Sequence, residues 1–137
     1  MAKMKIIEIN SCNFGSTGNI MLNIADIAQK EGNEVYVSYP DSNSNRKKQA
    51  DSDILIGTRL TRNIHLQIAK LTGFNGCFSV FATWHFLKKV NKIKPDIIHL
   101  HNLHNCYINL PMLFKYIKRH DIKTVWTLHD CWAFTGQ

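Results

Sequence analysis

Residues able to do chemistry are unevenly spread in this chain. His99, His101, His104 and Cys106 crowd into "HLHNLHNC", His129, Asp130 and Cys131 follow one another in "HDCWAF", and Cys12 shares "NSCNFGSTGN" with Gly15, Ser16, Thr17 and Gly18. These three stretches hold four of the seven histidines and three of the four cysteines. The first group raises metal binding, since His99 and His101 point to one side of a continuing strand and Cys106 is a soft ligand. The spacing fits no recognised zinc pattern, however, and a central strand covered on both faces makes His99 a satisfied core residue. The expectation is therefore no metal, with Asn102 and His104 recognising a hydroxylated substrate.

The stretch "FGSTGN" has the composition of an anion cradle. Small residues let the backbone approach a phosphate, and a following helix contributes free N–H groups and its dipole. A plain tight turn with a helix cap gives the same letters. No Lys followed by Ser or Thr is present, so this is not a P-loop, and G-x-G-x-x-G is not matched. Asn10 and Ser11 stand where a receiver domain would carry paired carboxylates after its first strand, which argues against a phosphoacceptor module. For His129 and Asp130 two readings stand side by side. They are functional groups at the rim of a ligand site, or they are a buried histidine bonded to backbone and an aspartate capping the next turn.

The elements that must position these groups follow from hydrophobic period. Met4 to Ile9 reads as a strand, and Asn19 to Lys30 as a helix with Ile20, Ile24 and Ile27 on one face. "NEVYVSYP" reads as a second strand, "DSNSNRKKQADSD" as a polar surface excursion, and Ile54 to Ile56 as a weak third strand. Helices are expected around 61–71 and 79–93, parted by the breaker "TGFNG". "PDIIHLH" is then a strand, "NLPMLFKYIKRH" a helix tolerating Pro111 in its first turn, and "KTVWTLH" a buried final strand. Strands alternating with helices imply right-handed crossovers and a doubly wound, mostly parallel α/β layer. Ligands bind such layers outside the strand carboxyl ends, where strand order reverses. With an order 3-2-1-4-5, the loops after strands one and four flank that crevice and the strand-five loop adjoins it.

Composition narrows the rest. At 137 residues, 45% hydrophobic and 20% charged, the chain is expected to form one soluble domain over 1–137 with a core of its own. The four cysteines show no paired spacing and read as reduced thiols of a cytoplasmic protein. The N-terminal apolar stretch is too short for a signal peptide, and no apolar run is long enough to span a bilayer. A formal charge of +7 favours anionic partners. The basic residues, Arg46 to Lys48, Arg59, Arg62, Lys88 to Lys94 and Lys115 to Arg119, are scattered and lack interleaved stacking aromatics, which argues against nucleic acid. "SVFATWHFLKKVNKIK" suits either a core helix with a solvated last turn or a helix lying on an anionic membrane.

"NFGSTGNI", "PDIIHLHNLHNCYINLPMLFKYIK" and "VWTLHDCWAFTG" together resemble the first half of bacterial family-four glycosyltransferases of the GT-B fold, the group common in capsule, exopolysaccharide and O-antigen assembly. The likeness covers most of the chain and is weak only across roughly 40–76. One departure is Asn105, where a glycine is expected. The resemblance implies a Rossmann-like, three-layer N-terminal lobe that receives the acceptor, with a second, C-terminal lobe holding the nucleotide-sugar donor. The stop at Gln137 then reads as truncation, and the fragment alone as inactive. The implied reaction transfers a sugar from a nucleotide-diphosphate donor to a glycan or lipid-linked acceptor, with retention and without metal or other cofactor. In that scheme His129 and Asp130 are catalytic, backbone groups at Gly15, Ser16, Thr17 and Gly18 face the donor phosphates, and His101, Asn102, His104 and Trp132 shape the acceptor side. The expected location is the cytoplasm, in solution or against the inner membrane surface. A non-catalytic anion-binding or nucleic-acid-binding α/β module is the competing reading.

Overall fold

The computed structural model describes residues 3–47 and 49–135. Met1, Ala2, Lys48, Gly136 and Gln137 lie outside the described residues. With them go the start of the N-terminal stretch, one lysine of the basic run, the end of "HDCWAFTG" and the stop at Gln137.

The chain runs β1 (Lys5–Ile9), α1 (Gly15–Lys30), β2 (Glu34–Pro40), α2 (Asn43–Arg46), β3 (Ile54–Ile56), α3 (Arg59–Thr72), α4 (Val80–Ile93), β4 (Ile97–Leu100), α5 (Leu110–Arg119), β5 (Lys123–Trp126) and α6 (Trp132–Thr135). All pairings in the five-stranded sheet are parallel, in the order β3-β2-β1-β4-β5. This is the doubly wound Rossmann-like α/β layer of the GT-B type, with its switch point between β1 and β4.

Alternation along β1 divides the core between the two faces. Ile7 and Ile9 join Ile98 and Leu100 against Phe86 and Val90 of α4 and Leu113 and Ile117 of α5. Ile6 joins Val35, Val37 and Tyr39 against Met21 and Ala25 of α1. Glu8, two residues from Ile6, therefore faces the α1 side from a strand flanked on both edges. Local signals end the helices where the sequence asks. Gly73 at φ 74° closes α3, and the Asn109 side chain accepts from the Met112 N–H at 2.9 Å ahead of Pro111 in α5.

Three expectations need correction. The "GSTG" residues are not a loop before a helix: Gly15 to Gly18 form the first turn of α1 itself. The segment after β2 is not a simple surface excursion. Asn45 of α2 is buried, its amide donates to the Pro40 carbonyl at 2.8 Å, and the Asn13 amide donates to the Asn45 carbonyl at 3.0 Å, so α2 holds the turn that precedes α1. The final strand is shorter than "KTVWTLH" and is not buried. It stands at the sheet edge with one neighbour, leaving Val125 50% and Trp126 37% exposed.

Candidate functional site

Because every strand is parallel, the loops after β1, β4 and β5 leave along one edge of the sheet, and hydrogen bonds stitch them together. The His101 N–H donates to the Ile9 carbonyl at 2.9 Å and the Asn102 N–H to Asn10 Oδ1 at 3.3 Å, joining the β4 loop to the β1 loop. The Thr127 N–H donates to the Leu100 carbonyl at 2.9 Å, and Trp126 Nε1–H to the His101 carbonyl at 2.9 Å, joining β5 to β4. Tyr107, buried, pins the β4 loop from within by donating to the Asn102 carbonyl at 2.8 Å. Burial pushes its hydroxyl well above the ordinary value, so it remains a neutral donor.

Glu8 lies beneath this rim, only 1% exposed. A buried carboxylate must be paired and hydrogen-bonded, and its Oε2 meets His99 Nδ1 at 2.9 Å and His101 Nε2 at 2.8 Å. Burial alone would raise this carboxyl, but the hydrogen bonds from His101 and His99, and the positive potential either ring gains when protonated, outweigh it and hold the group below its ordinary value. The far nitrogen of each ring is also engaged. His99 Nε2 lies 2.8 Å from Thr127 Oγ1, and His101 Nδ1 lies 2.9 Å from His129 Nε2, with the two rings stacked. The result is a continuous chain, Thr127, His99, Glu8, His101, His129, whose buried middle is flanked by two half-buried ends. Burial pushes the half-buried His129 imidazole below its ordinary value, and His101 adds to the effect. At neutral pH it is an uncharged group able to accept or donate.

A second pair sits further out. His104 Nε2 lies 3.0 Å from Asp130 Oδ2, while Asp130 Oδ1 accepts the Trp132 N–H at 3.0 Å and so caps α6. The Trp132 N–H, together with His104, holds the Asp130 carboxyl below its ordinary value. Trp132 leans on His104 with ring centres 5.7 Å apart. An open groove of about 380 Å³ runs beside the pair, lined by His104, Asn105, Cys106, Asp130 and Trp132 with Leu66 and Asn75 across it. That is large enough for a small-molecule ligand, and its rim of imidazole, carboxylate and indole suits hydroxyl recognition.

The structure thus brings His101, Asn102, His104, His129, Asp130 and Trp132 around one pocket, and it changes what some of them can do. His101 has no exposed side-chain surface, so it supports the rim from below. Asp130 does cap the next turn, as one of the two readings held, while also lining the groove. His129 bonds to a side chain and not to backbone. Gly15, Ser16, Thr17 and Gly18 share the same sheet edge but line neither this pocket nor the groove. Only the N–H groups from the N-cap to the third helical position are open in a helix, so Phe14, Gly15, Ser16 and Thr17 can offer them and Gly18 cannot. Phe14 at the N-cap makes no side-chain bond to them.

The sequence reading passed over Glu8 and Thr127. Glu8 was legible: a lone acid in the apolar "KIIEIN" of a central strand is a buried charge that demands partners. Glu8, His99 and His101 place potential ligand atoms within 4.8 Å of one another, which a cation could bridge. Yet the N···O separations are those of hydrogen bonds, and the outer ring nitrogens are bound to Thr127 and His129. The donor set reads as a hydrogen-bonded relay. All four cysteines are free thiols.

Comparison with known proteins bears on this arrangement. The family model described as Glycosyltransferase Family 4 matches residues 17–137. Over 48 residues the chain is 40% identical to a protein of Escherichia coli (strain K12) named "Putative colanic acid biosynthesis glycosyl transferase WcaC", a stretch that covers 31% of this chain and 12% of that protein.

Proposed function

Because the chain belongs to Glycosyltransferase Family 4, we propose that it is the acceptor-side lobe of a retaining glycosyltransferase that moves a sugar from a nucleotide-diphosphate donor to a glycan or lipid-linked acceptor in surface polysaccharide synthesis. The observation that carries this reading is the meeting of His129, His104, Asp130 and Trp132 at the carboxyl edge of the sheet, beside an open groove. A second lobe closing over that edge would supply the donor. The name of the Escherichia coli relative points to the same class of product.

In such a transfer the bond from the anomeric carbon to the diphosphate breaks, a bond to the acceptor oxygen forms, and the acceptor hydroxyl gives up its proton. Negative charge gathers on the departing diphosphate. The open N–H groups of Gly15, Ser16 and Thr17, with the positive end of the α1 dipole, suit that charge. His129 contacts the donor sugar, and Asp130, already paired with His104, orients it or polarises the acceptor hydroxyl. Trp132, His104 and Asn102 shape the acceptor side. The scheme calls for no metal.

His129→Ala in the intact enzyme is the direct test. Loss of a group that acts in the transition state lowers kcat by about 10²- to 10³-fold while acceptor KM changes little. Unchanged turnover removes His129 from the catalytic list, and an equal rise in KM reassigns it to binding.

We also propose that α3 and α4 meet an anionic membrane surface. Leu60, Ile64, Leu71, Phe74 and Phe81 are between 51% and 87% exposed. Ile64, Ile68, Phe78, Val80 and Phe81 line one apolar groove, with Lys89 and His85 lining the adjoining one. Arg59, Arg62 and Lys88 extend the positive charge, and Lys88 Nζ stands 3.6 Å over the Trp84 ring. Exposed apolar side chains rimmed by cations suit a peripheral contact. Flotation should show binding to phosphatidylglycerol vesicles at low salt and little to phosphatidylcholine, with Phe81→Asp abolishing it. Equal absence from both vesicles overturns this contact.

A further inference from the structure

We propose that Glu8 is a positioning residue that acts through His101 to fix the tautomer of His129, so that the rim imidazole presents a bare Nδ1 to the ligand. This deepens the reading in which His129 works at the reacting centre. It follows from proton counting along the relay. An ionised carboxylate only accepts, so the two rings that meet Glu8 Oε2 must both carry protons there, His99 on Nδ1 and His101 on Nε2. A neutral His101 then has an unprotonated Nδ1. Its partner at 2.9 Å is His129 Nε2, which must be the donor, and a neutral His129 that spends its proton on Nε2 keeps a lone pair on Nδ1. The other arm closes in the same way, with the Thr127 hydroxyl donating to His99 Nε2 at 2.8 Å. Every bond in the chain is then satisfied with one buried negative charge and no second buried charge.

The consequence is chemical. An imidazole whose outer nitrogen is bare can accept a hydrogen bond or a proton from a sugar hydroxyl. When it takes the proton, the electron pair of the O–H bond stays on oxygen and the new imidazolium points its Nε2–H down the relay toward the Glu8 carboxylate. A buried carboxylate that orients a histidine and steadies its charged form is the logic of the Ser-His-Asp triad, here carried through one additional ring. His129 also feels Asp130 and His99, with His104 lining the same pocket. Asp130 is tied to His104 and the Trp132 N–H, which leaves Glu8 as the carboxylate aligned with the relay.

Long-range proton–nitrogen correlation spectra of the chain read the tautomers directly. Wild type should show the proton on Nε2 for His101 and His129 and on Nδ1 for His99. A His129 protonated on Nδ1 overturns the proposal whatever the variants do. Glu8→Gln removes the charge, so the His129 titration midpoint should move to lower pH by about one unit, with Glu8→Asp between the two. Should Glu8→Gln fail to fold, His101→Gln severs the link with Glu8 retained and should move the same midpoint. A midpoint unmoved in every folded variant also overturns the relay. In the intact enzyme Glu8→Gln should lower kcat about 10- to 100-fold, as loss of an orienting partner does, at nearly constant acceptor KM. Coupled spectra with transfer indifferent to both Glu8→Gln and His129→Ala would sink the functional reading and leave the relay standing. Uncoupled spectra with His129→Ala inactive would do the reverse.

Discussion

A Cβ placed on Gly18 would lie 2.8 Å from the Asn13 carbonyl carbon and 3.2 Å from both the Asn13 Cα and the Cys12 carbonyl oxygen. All three are backbone atoms and cannot swing aside, so this glycine lets the first turn of α1 dock on the turn leaving β1. Gly18→Ala should therefore cost about 1–3 kcal/mol, as overpacking does, seen as a lower melting temperature with the 11–14 turn displaced. An unshifted melt would show that the turn can yield. Gly15 differs: nothing lies within 4 Å of its added Cβ, and it is glycine because its φ is 72°. Asn105 answers the departure noted in the sequence. Its φ is 83°, in the left-handed region that glycine occupies most easily and asparagine tolerates better than other side chains. The loop thus keeps the shape a glycine would give it.

At the scale of elements, hydrophobic period located most elements that bury a regular face. The two-sided runs of β1 and β4, the helices α1 and α5, and the breaker after α3 were legible, and alternation of strand with helix implied a doubly wound parallel layer, whose supposed order 3-2-1-4-5 is the observed one. The face of α1 was not legible, since Ile20 and Ile27 point outward while Met21 and Ala25 meet the core. Period fails where a segment is held by polar contacts. α2 has no apolar stripe, and its place depends on Asn45 reaching the Pro40 and Asn13 groups, contacts that sequence distance hides. It also misjudges β5. "KTVW" has the β-branched and aromatic content of a buried strand, but burial depends on what flanks it, and an edge position is not written in the strand itself. The candidate site divides along the same line. That its loops share one rim was legible from topology. That His101 lies under the rim while His104 lies on it was not, because strand pleat carries His99 and His101 inward only as far as β4 persists.

For the molecule as a whole, the same buried groups that build the site set its response to acid. Burial holds the imidazoles of His65 and His129 below their ordinary 6.5. A base depressed in the folded state contributes stability that is complete above its unfolded value and lost as pH falls toward the folded one, because the unfolded chain binds the proton first. The carboxyls follow lower down. Arg46, bonded through two nitrogens at 2.6 and 2.8 Å, holds Asp41 below its ordinary 3.8, and the relay holds Glu8 below 4.5. Their contribution is likewise present above those values and lost as pH falls through the folded ones. The melting temperature should be level above about pH 7, decline modestly between about pH 6.5 and 5, and fall steeply below about pH 4.5. At this chain length each kcal/mol amounts to roughly 3–6 °C. His65 isolates the upper limb, since it is buried, bonded to Ser79 Oγ at 2.7 Å and remote from the relay in sequence. His65→Gln should flatten the decline between about pH 6.5 and 5 and leave the acid limb in place. A wild-type melt that stays level from pH 7 to 5 would show that neither imidazole is held neutral by the fold, and with it would go the uncharged His129 on which the last step of the relay's proton counting depends.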